Sequence, residues 1–138
     1  MKMLLTKKFA FEMAHALDGY DGKCANLHGH SYHLEVTVEA PVLGADGMAI
    51  DFGRIKQIVQ QAVVDRFDHA LVLSEKSKFR NQAPELDNLV LVPFNPTTEN
   101  LLIHFVDLVS PHMPDGVVLH SLRLAETDTS VAELLLAD

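Results

Sequence analysis

Two-residue alternation over the first stretch of the chain, to about residue 40, constrains the fold most. Met3, Leu5, Phe9, Phe11 and Met13 share one parity, while Lys2, Thr6, Lys8 and Glu12 take the other. Further on, Tyr32, Leu34, Val36 and Val38 alternate with His33, Glu35, Thr37 and Glu39. Successive side chains of a strand point to opposite faces, so both runs predict long, half-buried strands. Residues 18–27 lie between them, carry two Asp/Gly turn signals and read as a loop. His15 falls on the apolar parity at the end of the first strand, and His28 and His30 fall on that of the second.

The period then changes. Pro41 to Gly47 reads as a connection and Met48 to Phe52 as a short strand. Ile55, Ile58, Val59, Ala62, Val63 and Phe67 keep the i, i+3, i+4 spacing of an amphipathic helix. Residues 74–88 read as an irregular surface excursion and Leu89–Val92 as a short strand. Thr97 and Thr98, followed by Glu99, supply a cap and a first-turn acid for a second helix, whose apolar face is Leu101, Leu102, Phe105, Leu108 and Val109 and which Pro111 ends. Residues 117–127 form the last long strand, with Val118, Leu122, Leu124 and Glu126 on one parity. The predicted architecture is one α+β domain spanning 1–138, with two helices on one face of a mainly antiparallel sheet.

Composition narrows the function classes. With 19 acidic against 11 basic residues the formal charge is −8, which disfavours nucleic acid or an anionic membrane as the main partner. The opening Met-Lys-Met-Leu-Leu-Thr-Lys-Lys has too short an apolar run for a signal peptide, and no run approaches the roughly 18 residues of a membrane span. One cysteine, Cys24, cannot form an internal disulfide. A cytoplasmic domain is the expectation.

The three histidines carry the first chemical signal. His28-Gly29-His30 puts two imidazoles on one strand face, and antiparallel pairing of the two strands would bring His15 to the same corner. Gly29 leaves out a side chain where the backbones would pack closely. Three neutral imidazoles suit zinc and leave a coordination position open for substrate. Cys24 could close that shell as a fourth, structural ligand, or stay unligated nearby as a base with a lowered thiol pKa. His33, His104, His112 and His120 lie off the corner and read as packing or solvated residues.

Two further groups are weaker signals alone. In Asp68-His69 the carboxylate can orient and charge the imidazole for proton transfer, although such a pair at a helix end is also an ordinary surface feature. Glu126 sits on an apolar parity and needs a partner, either a basic residue such as Arg123 of a neighbouring chain or a ligand with adjacent N–H donors.

Taken in order, Ala14-His15, Cys24-x-x-x-His28-Gly29-His30-Ser31-Tyr32, Gly47-Met48-x-x-Asp51-Phe52, Asp68-His69, Pro96-Thr97-Thr98-Glu99-Asn100 and Glu126-Thr127 resemble the 6-pyruvoyl-tetrahydropterin synthase family. The likeness runs from residue 9 to about 132. The three-residue gap between Cys24 and His28 is similar to the queuosine-type (7-deazaguanine pathway) enzymes, which form 6-carboxy-5,6,7,8-tetrahydropterin. The resemblance implies the tunnelling fold, whose subunits join sheets into a β-barrel, usually as a hexamer made of two trimers. It implies zinc on His15, His28 and His30, with Cys24 free as catalytic base. Asp68 and His69 would be a proton relay supplied by a neighbouring subunit. Glu126 would grip the pterin ring N–H and amino group, aided by Thr127 and the Thr97–Thr98 backbone. The implied substrate is 7,8-dihydroneopterin triphosphate, converted with loss of triphosphate and acetaldehyde. Val72, Leu73, Asp128 and Leu134 stand where the family pattern has other residues, and none of them replaces a catalytic group.

Magnitudes order these roles. Zinc lowers the pKa of bound water from about 16 to about 7, on the order of 12 kcal/mol. A positioned base adds about 10²–10⁴-fold, roughly 3–5 kcal/mol, so the metal is expected to dominate. Lys23, Lys56 and Arg80 are the basic residues weighed for the triphosphate. Two rivals stand beside this reading: the biopterin-branch reaction giving 6-pyruvoyl-tetrahydropterin, and a non-catalytic zinc-stapled oligomerisation module with Cys24 as fourth ligand.

Overall fold

A computed structural model describes residues 2–40, 43–82 and 86–136. The two alternating runs form β1 (Met3–His15) and β2 (His28–Ala40), paired antiparallel along their whole length, with His15 opposite His28 and Met13 opposite His30. A helix follows in three pieces: α1 (Phe52–Val59), a π-helical turn (Gln60–Val64) and α2 (Asp65–Phe67). β3 (Ala70–Ser74) and β4 (Leu89–Val92) come next, then α3 (Thr98–Val109), β5 (Val118–Thr127) and β6 (Ser130–Leu135). The six strands make one sheet in the order β4-β3-β1-β2-β5-β6. Its β1/β2, β2/β5 and β5/β6 pairings are antiparallel, while β3 runs parallel to both β1 and β4.

The apolar parity of β1, β2 and β5 faces the helices. Phe11, Tyr32, Leu34 and Leu124 pack with Ile55, Val59 and Phe67 from the first helix and Leu101 and Phe105 from α3 in one buried cluster. Each such side chain contributes roughly 1.5–3 kcal/mol on full burial. The α+β expectation with both helices on one face therefore holds. Thr97 caps α3 by accepting the Asn100 N–H at 3.1 Å, with Glu99 in the first turn. Among the described residues no helix is long and apolar enough to cross a membrane.

Four local expectations need correction. Residues 48–52 are not a strand: Gly44 donates to the Met48 carbonyl, Gly47 turns the chain at φ 82°, and Asp51 accepts the Gly53 N–H to start α1. That connection begins at Pro41 and Val42, which lie outside the described residues. Two strands, β3 and β6, were not expected at all. On β5 the apolar parity breaks, because the register slips between Thr37 and Val38 and leaves His120 as an extra residue. Leu119 is buried as a result, and Val118 is exposed. Finally, Gly29 is not forced by crowding: a Cβ there would meet Met13 O at 3.5 Å and Ala14 at 3.8 Å, ordinary contacts. The excursion after β3 includes residues 83–85, which also lie outside the described part.

Candidate functional site

Antiparallel register delivers the corner the spacing predicted. The rings of His15, His28 and His30 converge edge to face, with centroids 4.5, 4.9 and 5.2 Å apart. One nitrogen from each lies within 4.8 Å of the others, and among the described residues these three form the metal-competent cluster. His15 is fully buried beneath the other two.

Backbone carbonyls decide the tautomers. His15 Nδ1 lies 2.8 Å from the Pro96 carbonyl, and His28 Nδ1 lies 2.7 Å from that of Asn26. A carbonyl only accepts, so each Nδ1 carries the proton and donates it. The remaining Nε2 lone pairs then face each other at 3.0 Å. Two bare lone pairs at that separation repel unless a cation lies between them. A proton is a poor choice, since burial above all, with help from the charges of His28 and His30 and against the Pro96 hydrogen bond, lowers the His15 pKa to about 4. His30 is also lowered, chiefly by burial, with Glu126 opposing, and its Nε2 is buried with no hydrogen-bond partner. His15 and His28, their inward lone pairs fixed by second hydrogen bonds, together with the His30 ring beside them fit a bound metal ion.

Glu126 closes the corner from β5. Its Oε1 lies 3.2 Å from His30 Nε2 and 3.4 Å from His15 Nε2. Arg123, weighed as a partner from another chain, instead pairs within this chain with Glu35 at 3.6 Å. Glu126 also lines a cavity of about 290 Å³, close to the lower end of the size range of small-molecule sites, together with Leu17, Tyr20, Asn95, Thr97 and Thr98. Thr97 spends its hydroxyl on the helix cap and its N–H on the Asn95 carbonyl, whereas Thr98 begins α3. Thr127 lies just past Glu126, and its hydroxyl accepts the Thr129 N–H at 3.3 Å.

Cys24 sits in a 3-10 turn, Lys23–Ala25, partly buried and free, and is not a member of the metal-competent cluster. Its carbonyl accepts the Leu17 N–H at 2.9 Å, which ties this turn to the end of β1. Asp68 and His69 occupy the step from α2 into β3. Asp68 Oδ1 accepts the Glu12 N–H at 2.9 Å and lies 3.0 Å from His69 Nδ1. The Glu12 N–H is the main reason the Asp68 carboxyl stays below its ordinary pKa, with His69 adding to it. His69 itself adopts φ 64°, held by its N–H on the Glu12 carbonyl and by Asn88, which donates to the His69 carbonyl at 2.7 Å. Among the described residues no hydrogen bond or ion pair links this dyad to the histidine corner.

Of the four histidines set aside, His104 packs between Phe67 and Phe94, and none belongs to the cluster. Sequence reasoning missed the Pro96 carbonyl that orients His15, and Asn95, whose side chain bonds both the N–H and the carbonyl of Asp18. A backbone acceptor leaves no trace in composition, although Asn-Pro ahead of a helix cap was a visible turn signal.

A model of the 6-pyruvoyl tetrahydropterin synthase family matches residues 4–135. A 6-carboxy-5,6,7,8-tetrahydropterin synthase of Haemophilus influenzae is 36% identical over 137 residues, covering 94% of this chain and 96% of the relative. A 6-pyruvoyl tetrahydrobiopterin synthase of Dictyostelium discoideum is 30% identical, covering 93% and 92%. Among solved structures, 6-pyruvoyl tetrahydropterin synthase of Caenorhabditis elegans superposes with a TM-score of 0.75 at 20% identity, over 99% of this chain and 97% of that one, a likeness of fold. With a match over nearly its whole length, the chain belongs to the 6-pyruvoyl tetrahydropterin synthase family.

Proposed function

We propose that the protein is a zinc-dependent lyase that converts 7,8-dihydroneopterin triphosphate and one water to 6-carboxy-5,6,7,8-tetrahydropterin, releasing triphosphate and acetaldehyde. The observation that carries this reading is the pairing of the three-imidazole corner with the Glu126 carboxylate, which lines a cavity of small-molecule size. Support also comes from the higher identity to the carboxy-type relative, 36% against 30% for the pyruvoyl-type one.

His15, His28 and His30 would hold the metal, since their rings converge and the Nε2 lone pairs of His15 and His28 face each other while backbone carbonyls hold their Nδ1 protons. Zinc suits a three-nitrogen donor set and, when bound, supplies a positive centre that stabilises negative charge developing on the substrate. Glu126 accepts from the N–H and amino donors of the pterin ring, with Thr127 and the Thr97–Thr98 start of α3 beside it. A charged acceptor there strengthens and orients the contact more than a neutral one would. Cys24 acts as the base that takes the carbon-bound proton. Asp68 orients His69, which passes protons in and out. The dyad would be delivered by a neighbouring subunit, in a hexamer of two trimers whose sheets join into a barrel; the exposed His69 ring and the lack, among the described residues, of a hydrogen bond from the dyad to the corner support this. Work of this kind takes place in the cytoplasm.

The test is anaerobic incubation of the zinc-loaded protein with 7,8-dihydroneopterin triphosphate, followed by the mass of the pterin product. The 6-carboxy product supports the reading. A 6-pyruvoyl product moves the protein to the biopterin branch. No turnover with zinc fully bound leaves the non-catalytic zinc-stapled module in its place.

A further inference from the structure

Beyond the Glu126 cavity, the loop that forms its wall also bounds a larger cavity of about 490 Å³. Residues 16–21 line it on one side, and Lys76, Lys78 and Phe79 on the other. The two cavities share Leu17, Asp18, Gly19 and Tyr20, so a long molecule seated against Glu126 can continue over this loop into the second space.

The topology puts the lysines there. β3 runs parallel to β1, with Val72 beside His15, so the chain leaving β3 at Ser74 emerges at the same sheet end as the chain leaving β1. The segment after β3 is a built turn. Buried Ser74 and Ser77 accept the N–H groups of Lys76 and Phe79 at 3.1 and 3.2 Å, and Ser77 donates its own N–H to the Ser74 carbonyl. Arg80 is tied back to the Ser77 carbonyl at 2.7 Å, and the Lys78 ammonium lies 5.1 Å from the centre of the Phe79 ring. Among the described residues neither Lys76 nor Lys78 enters an ion pair. Lys23, Lys56 and Arg80, the basic residues weighed on sequence alone, do not line this cavity.

We infer that this second cavity binds the oligophosphate end of the substrate, with Lys76 and Lys78 as its cationic contacts. The inference rests on the Glu126 cavity being the pterin pocket. A chain of formal charge −8 repels a polyanion at long range, so binding needs local cations. Lysine serves phosphate as a compact charge with three donors. Asp18 and Asp21 line the same space. They are compatible with this ligand, because magnesium accompanying an oligophosphate is held by one or two carboxylates together with phosphate oxygens.

The experiment titrates the zinc-loaded full chain with two probes, inorganic triphosphate in the presence of magnesium and 7,8-dihydroneopterin, which carries no phosphate. Lys76→Ala/Lys78→Ala is expected to weaken triphosphate binding by at least about tenfold and to leave 7,8-dihydroneopterin unchanged. Raised salt should weaken triphosphate binding to the wild type. Lys7→Ala/Lys8→Ala removes the same charge elsewhere and should change neither affinity. Lys76→Gln/Lys78→Gln, which keeps the side-chain stems, repeats the test should the alanine variant fold poorly. Equal triphosphate affinity in wild type and double variants overturns the inference, as does a wild type that binds no triphosphate or a variant that loses both probes alike. Lysine-dependent triphosphate binding without turnover upholds the subsite while the reaction assignment falls. Normal kcat/KM on the triphosphate substrate in the double variant does the reverse.

Discussion

His15 is wholly buried and hydrogen-bonded through Nδ1 to the Pro96 carbonyl, whereas His69 leaves 77% of its side chain exposed and is anchored mainly by its backbone. The first belongs to a corner built within one chain, where His15 is buried and both it and His28 are oriented by backbone carbonyls. The second has its N–H, its carbonyl and its Asp68 neighbour all fixed, yet turns its ring outward. A group held this way keeps a fixed backbone and a ring open to solvent. On the proposed function, the contrast places metal capture in the fold of one subunit and proton transfer in its assembly.

The largest effect should come from breaking the buried side. His28→Ala is expected to lose zinc and all detectable turnover, read by metal content and product assay. Full zinc retention in that variant would remove His28 from the ligand set. Next, Cys24→Ala should keep its zinc and bind substrate but turn over about 10²–10⁴-fold more slowly. Loss of metal there would place the thiol inside the shell.

A pH series on the metal-free protein probes the burial of His15. Its pKa falls from 6.5 to about 4 on folding, so the neutral ring is the folded form. Its contribution is complete above pH 6.5 and is lost as the pH drops from there through about 4. The loss is roughly 3 kcal/mol, measurable by denaturant unfolding at pH 7.5 and pH 4. A His15→Gln variant with the same loss over that window would assign it to other groups. Smallest is Glu126→Gln, which turns one acceptor into a donor facing N–H groups. Pterin affinity should fall by about 1.5–3 kcal/mol, some ten- to hundredfold, and unchanged affinity would discard the anchor.

Much of the buried side was legible in the sequence, and the reasons are local. Alternation fixed the faces of β1 and β2, so His15, His28 and His30 had to share one. Both helices showed their apolar stripes, and Thr97 showed its cap. β3 escaped notice because Ala70–Ser74 is a short parallel strand buried on nearly every position, which leaves no alternation to read. β6 is an edge strand with weakly contrasted faces. The bulge at His120 broke a parity that had been extrapolated through it to Val118. Long-range carbonyl contacts, such as Pro96 on His15 across 81 residues, depend on the assembled sheet and not on any residue type. The lysine turn was hidden for the same reason, since only the parallel pairing of β3 brings it beside the 16–21 loop.

The central claim, a three-imidazole metal centre with Cys24 outside it, is tested most directly by zinc K-edge X-ray absorption on the zinc-loaded wild type. The account predicts nitrogen and oxygen scatterers alone, at about 2.0–2.2 Å. A sulfur scatterer at about 2.3 Å would contradict it and make the site a closed Cys/His3 staple.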